Sequence, residues 1–199
     1  MRILLERNEV NLNTTDTKYG QTPLLWAIKK GHEGVVRMLL RRNDVNPNTV
    51  DAEGDTPLLL AAKNGHVGVV RMLLERNDVN PNKADDREQT PLLWAAANGH
   101  EGVVMILLER NEVNPNITDT KYGRTPLSWA VKKGHEGVVR MLLRRNDVNP
   151  NTVDVGGQTP LSRATEKGHA RIVEILLKLQ DPNPVPHYIE YRQTQPQPD

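Results

Sequence analysis

The sequence predicts an all-α solenoid, a row of short helix pairs in which each pair packs on the next. Three observations predict it. The tripeptide Thr-Pro-Leu recurs five times, at Thr22, Thr56, Thr90, Thr125 and Thr159, with steps of 34, 34, 35 and 34 residues. Nine residues after each Thr comes Gly-His, at Gly31-His32, Gly65-His66, Gly99-His100, Gly134-His135 and Gly168-His169. Each pair is followed by an apolar run such as Val35-Val36-Arg37-Met38-Leu39-Leu40. A fixed period of this size marks units that cannot bury their apolar faces alone and do so by stacking.

One unit, Asp51 to Ala84, shows how the elements arise. Asp51-Ala52-Glu53-Gly54-Asp55 forms a turn, with Gly54 free to take a positive φ. Thr56 caps the following helix through its hydroxyl, and Pro57 suits the first helical position, where no donor is needed. Leu58 to Asn64 makes a short first helix that Gly65 ends. A second helix runs from about Val67 to Arg76, with Val69, Val70, Leu73 and Leu74 on one face. Asn77 stands where a left-handed residue commonly closes a helix. Val79 anchors the loop, and Pro81 prevents further helix.

The combination of Thr-Pro-Leu, the following Ala, Gly-His, Val-Val, Leu-Leu and the closing Asn resembles the ankyrin repeat. The resemblance covers roughly nine tenths of the chain. It implies antiparallel helix pairs, β-hairpin fingers at about right angles to them, and binding on the concave face formed by finger tips and first helices. It further implies that His32, His66, His100, His135 and His169 are structural and hydrogen-bond the backbone to fix the turn. The chain departs from the family pattern in its longer loop, Asn-Asp-Val-Asn-Pro-Asn, and in placing Leu25, Leu59, Leu93, Ser128 or Ser162 where a His often follows Thr-Pro-Leu. This variant resembles the long, uniform ankyrin arrays of filamentous fungi, which often follow a nucleotide-binding switch domain of the NACHT type. No Gly-x-x-x-x-Gly-Lys-Ser/Thr phosphate loop occurs in these 199 residues.

Composition narrows the function class. Hydrophobic residues make up 37%, and the mean hydropathy of −0.60 suits a thin stack with much surface for its volume. Charged residues are 26% with a net charge of +1, which argues against a general nucleic-acid binder. The chain has no cysteine, so thiol catalysis, disulfides and thiolate metal sites are excluded. No apolar run approaches a membrane span. A cytoplasmic or nuclear home, no cofactor and a monomeric state are the expectations.

The predicted organisation is a repeat domain over 1–183 and a Pro- and Gln-rich tail over 184–199. Residues 1–15 form a half repeat, followed by repeats at 16–50, 51–84, 85–118, 119–153 and 154–183. A larger duplication overlies them. Ile3 to Asp51 matches Ile106 to Asp154 at all but five of 49 positions: Leu12/Pro115, Thr14/Ile117, Gln21/Arg124, Leu25/Ser128 and Ile28/Val131. The offset of 103 residues equals three repeats. The exposed apolar start at Ile3, Leu4 and Leu5 reads as a segment of a longer protein or a rough cap. The last repeat, with Arg163, Thr165, Glu166 and Lys167, reads as a polar cap.

Candidate sites fall into four groups. The five histidines lie one per repeat, about 10 Å apart at helix-packing distance, too far to share a metal whose ligands sit near 2 Å. Trp26, Trp94 and Trp129 occupy a position normally packed between helices and are assigned to the core. Asp51, Asp85, Asp119 and Asp154 open the fingers, where Asp closes turns. Positions that vary between repeats and point to the concave side remain. Among them Tyr19, Lys29, Lys30, Tyr122, Arg124, Lys132 and Lys133 are the expected partner contacts, since Tyr and Arg are common binding hot spots and lysines favour an acidic partner. Glu88 replaces the turn glycine and is expected to bend its finger differently.

The function read from the sequence is a non-enzymatic protein-interaction module with a rigid concave surface. Two other classes stay open: a ligand-sensing array from a larger NACHT-type NTPase, and a structural spacer or engineered consensus-like scaffold.

Overall fold

The computed structural model describes residues 11–179. Residues 1–10 of the expected half repeat, the last residues of the fifth repeat and the tail over 184–199 lie outside the described residues. Within them are ten helices in five antiparallel pairs: α1 (Pro23–Lys29) with α2 (Glu33–Leu40), α3 (Pro57–Lys63) with α4 (Val67–Leu74), α5 (Pro91–Asn98) with α6 (Glu101–Leu108), α7 (Pro126–Lys133) with α8 (Glu136–Leu142), and α9 (Pro160–Glu166) with α10 (Ala170–Lys178). First helices pack on first helices down one layer, and second helices on second helices down the other.

Each first helix begins as the sequence predicts. The five threonines are extended N-caps whose hydroxyls accept the N–H three residues on, at 3.1–3.3 Å, and Pro follows in every case. Helices of seven to nine residues are too short to persist alone. Their stability comes from burial of Leu24, Leu58, Leu92 and Leu127 in one layer and Val36, Val70, Val104 and Val139 in the other, all at or below 1% exposure. Val45, Val79, Val113 and Val148 anchor the loops in the same core. α9 buries only Pro160 and Ala164, consistent with its polar composition.

Three devices lock neighbouring repeats in register. In the first, Gly31, Gly65, Gly99 and Gly134 each face the imidazole of the following repeat. A Cβ on Gly65, Gly99 or Gly134 would lie 2.7–2.8 Å from the ring of His100, His135 or His169. Those rings place Nε2 3.1 Å from Lys63 O, 3.1 Å from Ala97 O and 3.4 Å from Lys132 O. His100, His135 and His169 thus reach a backbone carbonyl of the preceding repeat, while His66 Nε2 is buried without a hydrogen-bond partner. In the second, the asparagine after each loop proline bridges forward. Asn48, Asn82 and Asn116 donate from Nδ2 to Asp78 O, Glu112 O and Asp147 O, and Asn82 and Asn116 also accept the N–H of Asn114 and Asn149. The lengthened loop thus has a purpose. In the third, Arg76, Arg110 and Arg145 reach back to Leu40 O, Leu74 O and Arg110 O, carbonyls at the end of the preceding second helix.

Two local expectations change. No strand occurs among the described residues. Each finger is closed by two backbone bonds, as from Asp51 N–H to Asp55 O at 3.2 Å and from Gly54 N–H to Asp51 O at 3.1 Å; single bonds such as Ala52 N–H to Tyr19 O at 2.9 Å join neighbouring fingers, and the aspartate side chains accept other N–H groups of the turn. Asn77 is not left-handed: Glu88 alone among described non-glycine residues has positive φ. α4 instead ends in right-handed geometry at Glu75, and the Asp78 carboxylate is engaged by the Arg76 guanidinium at 2.8–2.9 Å.

Glu88 adopts φ 58° and keeps the same turn as its glycine counterparts, with its N–H on Asp85 O at 3.0 Å as Gly54 N–H is on Asp51 O at 3.1 Å. The finger does not bend differently; the residue bears the strain. Glu88→Gly should therefore raise stability by about 1 kcal/mol, read as a shift of the urea midpoint at unchanged m-value. Gly99 has φ 74° and no room for a methyl group beside His135. Gly99→Ala should cost about 2 kcal/mol or more, from left-handed strain together with displacement of the ring. Thermal melting followed by circular dichroism checks both.

Candidate interaction surface

The fingers owe their shape to one aspartate each. Asp16 Oδ1 accepts the N–H groups of Lys18 and Tyr19, at 2.9 and 2.7 Å. Asp51, Asp85 and Asp154 take two N–H groups of their own turns in the same way. Their second oxygen faces the first helix. There Asp16, Asp85 and Asp119 accept the indole N–H of Trp26, Trp94 and Trp129 at 3.1, 3.2 and 2.7 Å. Asp154 accepts Arg163, which stands at the tryptophan position of its repeat. The assignment of the three tryptophans to the core is corrected: each is half-buried, with its indole N–H tied to the finger. The signal was present in the sequence, since an Asp lies nine or ten residues before every Trp.

The duplication places two like clusters on this side. In the first, Tyr19 meets Trp26 edge-on with ring centroids 6.2 Å apart, and Lys18, Lys29 and Lys30 hold their ammonium groups 4.9–5.7 Å from one or both rings. In the second, Tyr122 meets Trp129 at 5.6 Å, with Lys121 and Lys132 4.7–5.4 Å from the rings. Tyr19 is 40% exposed, Lys29, Lys30 and Lys133 are exposed, and Tyr122 and Lys132 are half-buried.

Arg124 differs from the other expected contacts. It is 7% exposed, bonded through Nε to Asp154 at 3.0 Å, and its guanidinium lies 4.6 Å from the Tyr122 ring and 5.2 Å from that of Trp129. It forms the floor of the second cluster rather than its rim. Gln21 fills the same place in the first cluster and donates to Asp51 at 3.2 Å. Electrostatics follow from this difference. Burial and the nearby cations Arg124, Lys133 and Arg163 push the Lys132 ammonium below its ordinary pKa against the pull of Tyr122. Hydrogen bonding and charge from Lys121, aided by Lys132 and Arg124, lower the Tyr122 phenol. The second cluster is a region of concentrated positive charge.

Between the two clusters the sign reverses. A depression of about 300 Å³ is lined by Glu53, Asp55, Asp85 and Asp86 against only Lys63 and Arg87 as charged counterweights. Lys63 is engaged by Asp55 at 3.0 Å and Glu53 at 3.8 Å. Burial raises the pKa of Asp55; Lys63 opposes the shift, and Asp51 and Asp85 add to it. Among the described residues no group of three or more His, Asp or Glu is placed to hold a metal ion, and the histidines stay one per repeat.

A family model for ankyrin repeats, three copies long, matches residues 1–51, 40–119, 77–154 and 111–185. Successive matches overlap and together span most of the sequence, and the chain belongs to the ankyrin-repeat family. Ankyrin repeats are generally protein–protein interaction modules. A search of curated proteins returned no match.

Asp154 sets a pH dependence. Burial works to raise its pKa, but hydrogen bonds from Gln158 N–H, Arg124, Gly156 N–H and Arg163 together hold it below the ordinary 3.8. The unfolded chain therefore binds this proton first as pH falls, so the stabilisation is present above the unfolded pKa and is lost as pH drops through the folded one. Asp154→Asn should be less stable at neutral pH, where it leaves two guanidinium groups short of a partner, yet lose less stability between about pH 5 and about pH 2. Urea titrations across that range check the flattening.

Proposed function

We propose that the protein is a non-enzymatic recognition module whose finger and first-helix face binds a protein partner through an acidic surface. The observation that carries the reading is the pair of tyrosine–tryptophan–lysine clusters on that face. Each combines an aromatic surface already held by hydrogen bonds with lysines that have no carboxylate partner at contact distance among the described residues. Rings fixed before binding lose little rotamer freedom in the complex, and the ammonium groups select against basic partners. The contacts are Tyr19, Lys29, Lys30, Tyr122, Lys132 and Lys133, with Arg124 beneath the second cluster.

The test is capture from source-cell extract by the full chain, beside a variant with Tyr19, Lys29, Lys30, Tyr122, Lys132 and Lys133 changed to Ala. The variant is first matched to wild type in helical circular dichroism and melting. A partner that is retained by wild type, lost by the variant and released by raised salt is the expected result. Equal capture by both proteins, or capture that salt does not weaken, would reject this face or its acidic preference.

A further inference from the structure

We infer that the partner is bipartite: two acidic segments of one polypeptide occupy the two clusters at once, and the cluster built on Arg124 is the stronger. This rests on the acidic-partner reading above and adds the number, spacing and ranking of its sites. The first support is the duplication itself. Of the residues that make the clusters, Lys18, Tyr19, Trp26, Lys29 and Lys30 recur unchanged as Lys121, Tyr122, Trp129, Lys132 and Lys133. The two sets adopt the same edge-on ring pairing, and Lys18 and Lys29 lie over the rings as Lys121 and Lys132 do, while Lys30 lies over Trp26 without a counterpart contact from Lys133. Three helix-packing steps of about 10 Å put them about 30 Å apart.

The second support is what lies between. The intervening fingers carry Glu53, Asp55, Asp85 and Asp86, and the nearest lysine there, Lys63, is engaged by two of them. A continuous acidic segment would be repelled at this point. Two acidic segments joined by a neutral or basic stretch match the face along its length.

The third support ranks the sites. Gln21 and Arg124 are the one difference between the copies that changes charge. Both side chains are more than nine-tenths buried, and each has one atom without a hydrogen-bond partner: the Gln21 Oε1 acceptor and the Arg124 Nη1 donor. An incoming carboxylate can use a donor and gains nothing from an acceptor. Nη1 is buried in the unbound protein, so a carboxylate reaches it only as the side chains above it move aside. The fold tolerates either residue here, since Gln89 and Gln158 occupy the place in other repeats.

The probes are an octaglutamate peptide and two such blocks joined by about 30 Gly/Ser residues, a linker with an end-to-end distance of about 30 Å. Each is titrated calorimetrically into the full chain. The expected result for the single block is two sites, one tighter. Arg124→Gln should weaken the tighter site about tenfold, Gln21→Arg should strengthen the other, and Lys29→Ala with Lys30→Ala should leave one tight site. The joined blocks should bind one to one and about a hundredfold tighter than the single block, an advantage that the Lys29/Lys30 variant loses. Binding of the single block at one site only, or joined blocks no tighter than single ones, would overturn the two-site inference and leave the acidic preference standing. Two sites that Arg124→Gln does not change would overturn the ranking. Absence of binding by any glutamate peptide would overturn the acidic-partner reading along with it.

Discussion

Everything in this molecule depends on the contact between one repeat and the next. A helix of seven or eight residues closes few backbone hydrogen bonds for the entropy it gives up, so a single helix pair has no independent stability. The stack supplies it in two forms. Apolar side chains from two layers bury against both neighbours. Polar groups then fix the register that apolar contact alone would leave loose: an imidazole seated on a glycine, an asparagine amide spanning two loops, an arginine on the carbonyls of the previous helix end. Each recurs at the same place in successive units, because an inner unit is both donor and receiver; at the last unit the arginine gives way to Leu179. The regularity of the sequence follows from that reciprocity.

The same constraint explains where the repeats are free to differ. A position that touches the next repeat is held; a position that faces solvent from the finger or first helix is not. The sign of charge along this face therefore changes with single substitutions that leave the stack untouched. Lys29 becomes Lys63, Ala97, Lys132 and Glu166 down the row. The tryptophan position lies between the two regimes. It accepts Trp, Leu60 or Arg163, and the finger aspartate keeps a donor in each case: an indole, Gln21 from the preceding finger, or a guanidinium. A ring held in this way is structural on one edge and available on the other.

Much of this was legible in the sequence. Thr-Pro-Leu gave the cap and the first helical turn; Gly-His gave the joint between helices; Val-Val and Leu-Leu gave the buried faces. The failures have identifiable causes. Trp26, Trp94 and Trp129 were placed in the core because an apolar ring follows a buried Leu, yet indole also carries a donor, and the aspartate that takes it lies at a different level of the chain. Asn77 was assigned a left-handed cap from its type alone, while the next residues offered Arg76 and Asp78, which close the turn through side chains. The fingers resemble hairpins in sequence but are five or six residues long, and their aspartates satisfy the N–H groups that a strand would have paired. His100, His135 and His169 reach carbonyls one repeat back, a partner invisible in a single unit.

Arg124 shows how a stack accommodates a buried charge. Transfer of a guanidinium from water is costly, and an ion pair does not in general recover that cost. Asp154 can hold Arg124 because the finger has already given it two N–H donors, and because Arg163 shares its other oxygen. That carboxylate is thus an acceptor for two backbone groups and two cations from two different repeats. The glutamine of the sister copy meets the same aspartate geometry at Asp51 with a neutral amide and no charge to desolvate. The fold is equally complete with either residue. What Arg124 adds is a positive charge against two aromatic rings, beside three lysines. Packing does not call for that charge; the property it changes is the electrostatic character of the face above.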